Sequence, residues 1–102
     1  MIDLIKQNRQ TLEALCRKYR VGRLELFGSA AAGDFDRQSS DVDFLVEFLS
    51  LETGQAADNY FGLLFDLQDL FSRPVDLVME GAIKNPYFLE AVKLSREPVY
   101  AA

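Results

Sequence analysis

Hydrophobic positions recur at helical spacing through the first 20 residues of the chain. Apolar side chains stand three or four residues apart, and Lys, Arg, Gln and Glu fill most positions between them. A repeat of this kind places the apolar side chains along one face of an α-helix. The pattern therefore predicts an amphipathic helix over residues 2–20, ended by Val21-Gly22. Cys16 falls on the apolar face, where we expect it to act as a small core side chain.

Two short β-strands are predicted after this helix. The first covers residues 23–27 and stops at Gly28-Ser29, and the glycine, aspartates and serines of residues 30–40 are typical of a loop. In residues 41–48 polar and apolar side chains alternate, as in a strand with one buried face. One face would carry Val42, Phe44, Val46 and Phe48, and the other Asp41, Asp43, Leu45 and Glu47. Of these, Glu47 is expected to be solvated.

The second half of the chain predicts a helix, a strand and a further helix. The first helix is expected over residues 57–71 and the strand, entered at Pro74, over residues 75–79. The predicted apolar stripe of that helix consists of Phe61, Leu64, Leu67 and Phe71. Asn85-Pro86 has the sequence of an N-cap followed by proline in the first turn, so a third helix should run to about Leu94. Residues 98–100 suggest a last short strand at a sheet edge.

This order of elements predicts the fold class and the domain organisation. It is typical of an α+β (α/β) fold in which a small mixed β-sheet carries helices packed on one face. The length of 102 residues suits one domain, so residues 1–102 are expected to form a single domain. Apolar residues make up 49% of the chain, which is enough for a core at this size.

Composition excludes several classes of function. The chain has no histidine, which removes histidine general bases, Ser-His-Asp triads and histidine-ligated zinc. The net charge of −5 argues against stable nucleic acid binding, which needs a basic face. The single cysteine cannot form an internal disulfide. With no signal-peptide pattern and no apolar run of about 20 residues, we expect a cytoplasmic protein without membrane association.

Acidic residues on the predicted strands are the candidate chemistry. Asp41 and Asp43 stand two apart, so both carboxylates should project from one face of their strand and repel each other. A bound divalent cation would offset that repulsion, and Mg²⁺ prefers oxygen ligands. Asp76 is an isolated charge in a short apolar strand, where a bare carboxylate would be costly to bury. If that strand lies beside the first, the three carboxylates converge.

Gly28-Ser29 supplies a candidate phosphate site at the end of the preceding strand. Glycine permits a tight turn and a close approach of the backbone to a ligand. The exposed N–H groups of such a turn can bind phosphate oxygens, and the Ser29 hydroxyl can add a hydrogen bond.

Each of these features also has a simpler interpretation. Asp41 and Asp43 fit the solvated face of an antiparallel strand, Gly28-Ser29 fits an ordinary turn, and Asp76 fits an edge or salt-bridged residue. It is the combination, in this order along the chain, that favours a functional site.

The same combination resembles the minimal nucleotidyltransferase (MNT) family of the DNA polymerase beta-like superfamily. The resemblance lies in Leu-Phe-Gly-Ser, the loop, Ser-Asp-Val-Asp-Phe-Leu-Val and the later Val-Asp-Leu-Val, and it extends over nearly the whole chain. It implies that Gly28 and Ser29 hold a nucleoside triphosphate, ATP or another NTP. It also implies that Asp41 and Asp43 bind two Mg²⁺ ions, and that Asp76 binds one of them and helps to activate the acceptor hydroxyl.

The activity implied by the resemblance is metal-dependent transfer of a nucleoside monophosphate, AMP from ATP above all, to an acceptor hydroxyl. Relatives of this size are often encoded beside a small all-helical HEPN protein, with which they form toxin–antitoxin pairs. The resemblance therefore implies a HEPN-type partner, with one of its tyrosines as the acceptor, and a protein adenylyltransferase acting as antitoxin. Tyr60, Tyr87 and Tyr100 are candidate aromatic contacts with such a partner.

Other functions stay open on the sequence. A non-catalytic antitoxin would neutralise its partner by binding alone, and a small-molecule transferase would ordinarily need an added acceptor-binding domain. One departure from the family bears on this choice, because many relatives carry a basic residue where this chain has Ala30-Ala31-Ala32. The departure predicts weaker nucleotide binding, and it slightly favours the non-catalytic alternative. A homo-oligomer is also possible.

Overall fold

The fold is seen in a computed structural model that describes residues 3–28, 42–49, 55–79, 85–87, 90 and 96–102. The elements within these ranges are α1 (Asp3–Gln7), α2 (Arg9–Lys18), β1 (Val21–Phe27), β2 (Val42–Phe48), α3 (Gln55–Phe71), β3 (Val75–Met79) and β4 (Glu97–Ala101). No helix in this described part is both long and apolar enough to cross a lipid bilayer.

The four described strands form one mixed sheet in the order β3-β2-β1-β4. β1 pairs antiparallel with both β2 and β4, whereas β2 and β3 are parallel. A parallel pair needs a crossover between its strands, and α3 lies in that crossover. The predicted strand at 98–100 is confirmed as β4, at one end of this sheet.

The main hydrophobic core lies between one face of the sheet and the described helices. It contains Ile5, Leu12, Cys16, Leu63, Leu67 and Phe71 from the helices and Leu24, Leu26, Val42, Phe44, Val46, Val75, Leu77 and Val99 from the strands, together with Val21. This arrangement confirms the predicted small mixed sheet with helices on one face. Burial raises the pKa of the Cys16 thiol to about 12, which confirms Cys16 as an unreactive core side chain.

The N-terminal helical region differs from the predicted single helix by an internal break and in the way it ends. It consists of two helices separated at Asn8, whose side-chain amide donates a hydrogen bond to the Leu4 carbonyl at 2.8 Å. Val21-Gly22 does not end the region but opens β1. The reversal occurs at Arg20, which has a positive φ of 58°, as is common just after a helix C-terminus.

The predicted apolar stripe of α3 is partly wrong. The helix begins at Gln55 rather than residue 57, and its buried residues are Leu63, Leu67 and Phe71. Phe61 is 52% exposed. The reason is that apolar residues occupy most of the helix circumference between residues 60 and 67, so spacing alone allows more than one stripe. Packing against the sheet selects the residues at i, i+4 and i+8.

A polar cluster fixes α3 against α2. The Tyr19 hydroxyl donates a hydrogen bond to Asp66 at 2.5 Å, and the Asn59 amide donates to the Tyr19 carbonyl at 2.8 Å. The Tyr19 ring lies so close to Gly62 that a Cβ there would be 2.6 Å from Tyr19 Cε1. Asp66 therefore helps to hold α3 against α2.

Only the beginning of the predicted third helix lies within the described residues. Pro86, Tyr87 and Glu90 are helical. Asn85 Oδ1 accepts a hydrogen bond from the Tyr87 backbone N–H at 2.9 Å, which confirms Asn85 as the N-cap.

A buried ion pair attaches β4 to β1 on the sheet face opposite the main core. Glu25 is only 5% exposed. Arg96 donates to it twice, from Nε to Oε2 at 2.6 Å and from Nη2 to Oε1 at 2.5 Å. Arg23 contacts Glu25 at 2.9 Å and Glu47 at 2.9 Å. The hydrogen bonds from Arg96 hold the pKa of Glu25 below its ordinary value of 4.5, despite the opposing effect of burial.

Removal of Arg96 should destabilise the protein. Arg96→Met leaves the buried Glu25 carboxylate with Arg23, so we expect the free energy of unfolding to fall by roughly 1–3 kcal/mol in urea titrations. Arg9→Met is the control, because the exposed Arg9–Glu13 pair, at 3.7 Å, is worth at most about 0.5 kcal/mol. Glu25→Gln combined with Arg96→Met should recover part of the loss.

The same pair predicts how stability depends on pH. Because the Glu25 pKa is lower in the folded than in the unfolded protein, the unfolded state takes up the proton first as pH falls. The stabilisation is therefore present above about pH 4.5 and is lost below it. In Glu25→Gln the unfolding free energy should fall less steeply below this pH, and an unchanged slope would show that the pair contributes little.

Candidate active site

Asp43 and Asp76 lie side by side on neighbouring strands. In the parallel pairing of β2 with β3, Asp43 is the register partner of Asp76. Neighbouring strands are about 4.8 Å apart, and paired residues point to the same face of a sheet. Since Phe44 and Leu77 point into the main core, the two carboxylates point to the opposite face. The condition set in the sequence analysis, that the Asp76 strand lies beside the Asp43 strand, is therefore met.

The two carboxylates differ in exposure. Asp43 is partly buried, whereas Asp76 is exposed. The argument that Asp76 would be a costly buried charge is therefore wrong. β3 is at one end of the described sheet, and Asp76 projects from the face that the described helices leave uncovered. An exposed carboxylate in this position is accessible to a ligand or substrate.

Gly28 brings the end of β1 against the Asp43 carboxylate. Phe27, the last residue of β1, is the register partner of Asp43. Gly28 follows with a positive φ of 71°, a conformation that other residues rarely adopt. A Cβ at Gly28 would overlap Asp43 Oδ2, so only glycine permits this approach. The predicted phosphate turn and the predicted metal ligand thus meet at one end of the sheet.

The chemistry of this arrangement fits a hard divalent cation. Asp43 and Asp76 offer carboxylate oxygens, the ligands that Mg²⁺ prefers, and Gly28 allows the backbone to come close to a bound anion. No group of three or more His, Cys, Asp or Glu able to hold a metal occurs among the residues described. The remaining predicted site residues, Ser29 and Asp41, lie outside that part of the chain, as do Ala30–Ala32.

Two further features of this face escaped the sequence reasoning. Phe27, Leu45 and Val78 form a small apolar cluster next to the carboxylates. The Glu25 ion pair lies beyond that cluster, because Glu25 is the register partner of Leu45. The alternation of Arg23, Glu25 and Phe27 along β1 is the signal that could have placed these side chains opposite the main core. No local sequence pattern predicts that Arg96 contacts Glu25.

Comparison with known proteins identifies the family to which this fold belongs. The family model for the nucleotidyltransferase domain matches residues 8–99. A candidate protein adenylyltransferase of Methanocaldococcus jannaschii is 37% identical over 91 residues, which cover 89% of this chain and 86% of that protein.

Solved structures show the same relationship. A structure described as a candidate minimal nucleotidyltransferase superposes with a TM-score of 0.74 at 31% identity, over 95% of this chain and 96% of that one. The complex of a tri-AMPylated Shewanella oneidensis HEPN toxin with an MNT antitoxin contains a chain with the same fold. The TM-score is 0.65 at 18% identity, over 96% of this chain and 73% of that one.

The TM-scores show that these solved chains share the fold described above. The chain belongs to the nucleotidyltransferase domain family and, within the DNA polymerase beta-like superfamily, to the minimal nucleotidyltransferases.

Proposed function

We propose that this protein is a protein adenylyltransferase that transfers AMP from ATP to a tyrosine of a HEPN-type helical partner and so acts as an antitoxin. The observation that carries the proposal is the placement of Asp43 beside Asp76, with Gly28 packed against the first carboxylate. The name of the M. jannaschii relative supports the reaction, and the AMPylated toxin of the Shewanella complex supports the acceptor.

The roles proposed for Asp43, Asp76 and Gly28 follow from their positions, and those proposed for Asp41 and Ser29 follow from the family resemblance. Asp43 and Asp76, together with Asp41, would hold two Mg²⁺ ions, which when bound neutralise the charge on the phosphates. Gly28 and Ser29 would present backbone N–H groups and a hydroxyl to the triphosphate. Asp76 is exposed and therefore accessible to the incoming hydroxyl, from which it would draw the proton. The acceptor oxygen bonds to the α-phosphorus as the bond to pyrophosphate breaks. Residues 1–102 would act as one domain.

A non-catalytic antitoxin is the second candidate function. One observation favours it. Two large aromatic side chains, Phe61 and Phe65, are exposed on α3, and catalysis on the opposite face of the sheet does not require exposed aromatic side chains there. The two functions predict different behaviour for a variant that keeps the fold but lacks a carboxylate. The enzyme would no longer neutralise its partner, whereas the binding protein would.

Asp43→Asn tests the catalytic proposal. The amide keeps the shape of the side chain but removes the charge, so we expect AMP transfer to fall by at least a hundredfold. The assay measures label transferred from α-labelled ATP, with Mg²⁺, to the HEPN-type protein encoded beside the gene. Glu47→Gln is the control, because Glu47 lies on the same strand and the same face at the far end, and it should transfer normally.

Normal transfer by Asp43→Asn would contradict the proposed site. Neutralisation of the toxin by Asp43→Asn at the wild-type level, without label transfer, would favour the non-catalytic antitoxin.

Gly28→Ala tests the close approach of the turn to the carboxylate. An alanine would need the left-handed conformation, at a cost of roughly 1–2 kcal/mol, and its Cβ would displace Asp43. We therefore expect transfer to fall at least tenfold and the rise in melting temperature given by ATP with Mg²⁺ to shrink. Gly22→Ala is the matched control on the same strand. Its Cβ would be 3.3 Å from the nearest atoms, and it should keep both properties. Equal behaviour of the two variants would remove Gly28 from the site.

Asp76→Asn should raise the stability of the metal-free protein. Like charges opposite each other on paired strands are destabilising, so their removal should add roughly 0.2–1 kcal/mol in the presence of EDTA. The additional stability given by Mg²⁺ with ATP should shrink at the same time. Thermal unfolding with and without Mg²⁺ measures both effects. Lower stability in EDTA would instead identify Asp76 as a structural hydrogen-bonding residue.

A further inference from the structure

Two phenylalanines occupy the solvent side of α3. Phe61 and Phe65 are 52% and 62% exposed, and their rings stack with centroids 6.3 Å apart. They stand one helical turn from each other, on the side of the helix opposite Leu63 and Leu67. Single exposed apolar side chains are ordinary on a protein surface, but adjoining ones mark interaction sites.

The apolar surface continues from α3 to the end of β3. The Tyr60 ring meets Phe61 edge-on at 5.1 Å, and its hydroxyl donates a hydrogen bond to the Leu77 carbonyl at 2.5 Å. A shallow groove of about 280 Å³ lies between Tyr60 and Leu77, Val78 and Met79, and Met79 is exposed. We name Tyr60, Phe61, Phe65 and Met79 the aromatic surface.

Every charged residue of α3, the helix that carries most of this surface, is acidic. The helix contains Asp58, Asp66 and Asp69 and no lysine or arginine. Asp58 precedes Phe61 by three residues and Asp69 follows Phe65 by four, so both lie on the aromatic side of the helix. Both are exposed. An acidic residue therefore stands at each end of the phenylalanine pair.

This charge pattern distinguishes between occupants. In an antiparallel pairing of α3 with a second copy of itself, Asp58 of one copy would approach Asp69 of the other, and the like charges would repel. A nucleic acid would be repelled for the same reason. A helix with apolar residues along one stripe and Lys or Arg near both ends would match the phenylalanines and the aspartates together.

We propose that the aromatic surface is the docking site for such a basic, apolar helix of a protein partner. The identification of that partner with the HEPN-type protein rests on the proposed function. The surface ends on β3, where Met79 is three residues beyond Asp76, a distance of about 10 Å along a strand. A partner docked on it lies beside the strand that carries the exposed carboxylate, so its acceptor hydroxyl reaches Asp76 from the β3 side of the sheet.

The experiment measures binding of the purified HEPN-type protein by calorimetry without ATP. Phe61→Ser combined with Phe65→Ser should weaken binding at least a hundredfold, because exposed aromatic anchors dominate such interfaces. The melting temperature of this double variant, and the stabilisation it gains from Mg²⁺ with ATP, should stay at wild-type values, because both phenylalanine side chains point away from the core and from the candidate site. Leu49→Ser is the control. Leu49 is also an exposed apolar side chain, but it packs against Gly22, and its substitution should not change affinity.

A charge-reversed pair tests the choice of occupant. Asp58→Lys combined with Asp69→Lys should weaken binding about tenfold or more and flatten its dependence on salt. Asp3→Lys combined with Glu90→Lys makes the same change in net charge at two other exposed positions, and it should have a much smaller effect.

Several results would overturn the docking proposal. They are unchanged affinity in the phenylalanine variant, no binding by the wild type, or a wild-type self-association in sedimentation velocity that the phenylalanine variant abolishes. Loss of affinity in Tyr87→Ser with the phenylalanine variant unaffected would likewise place the partner elsewhere. Failure of the proposed function looks different: Asp43→Asn would then transfer AMP normally, while the phenylalanine variant still loses the partner.

Discussion

The register of β2 against its two neighbours is the constraint on which the site depends. It places Asp43 opposite Phe27 on one side and opposite Asp76 on the other. A slip of one residue would exchange the two faces of the strand and put Asp43 in the core in place of Phe44. Burial of Val42, Phe44 and Val46 against the helices prevents that slip. The hydrophobic core thus fixes the distance between the two carboxylates without contacting either.

The described helices cover one face of the sheet, and the candidate site lies on the other. The uncovered face has a graded composition: carboxylates at one end, a small apolar cluster next to them, and the Glu25 ion pair beyond. That ion pair attaches the last strand to the first, so the C-terminal residues contribute to the same face as the site.

Local pattern was enough to predict the elements that have one buried and one polar face. The alternation around Asp43 and the short apolar run around Asp76 gave β2 and β3, and with them the face that carries the site. Local pattern failed where the burial of a side chain depends on which other elements pack against it. The stripe of α3 was misassigned because apolar residues surround most of the helix, and the exposure of Asp76 depended on the position of β3 in the sheet. The contact of Arg96 with Glu25 joins residues 71 positions apart, and no local pattern encodes it.

The parallel pairing of β2 with β3 has a consequence for folding. Residues 49–74, which include α3, separate these strands along the chain, and pairings across such a crossover form slowly because the chain must first close a long loop. Asp43 and Asp76 are therefore neighbours only once this crossover has closed. A nascent or partly unfolded chain has the same carboxylates but not the pair, so the proposed cation site exists only after the two strands have paired.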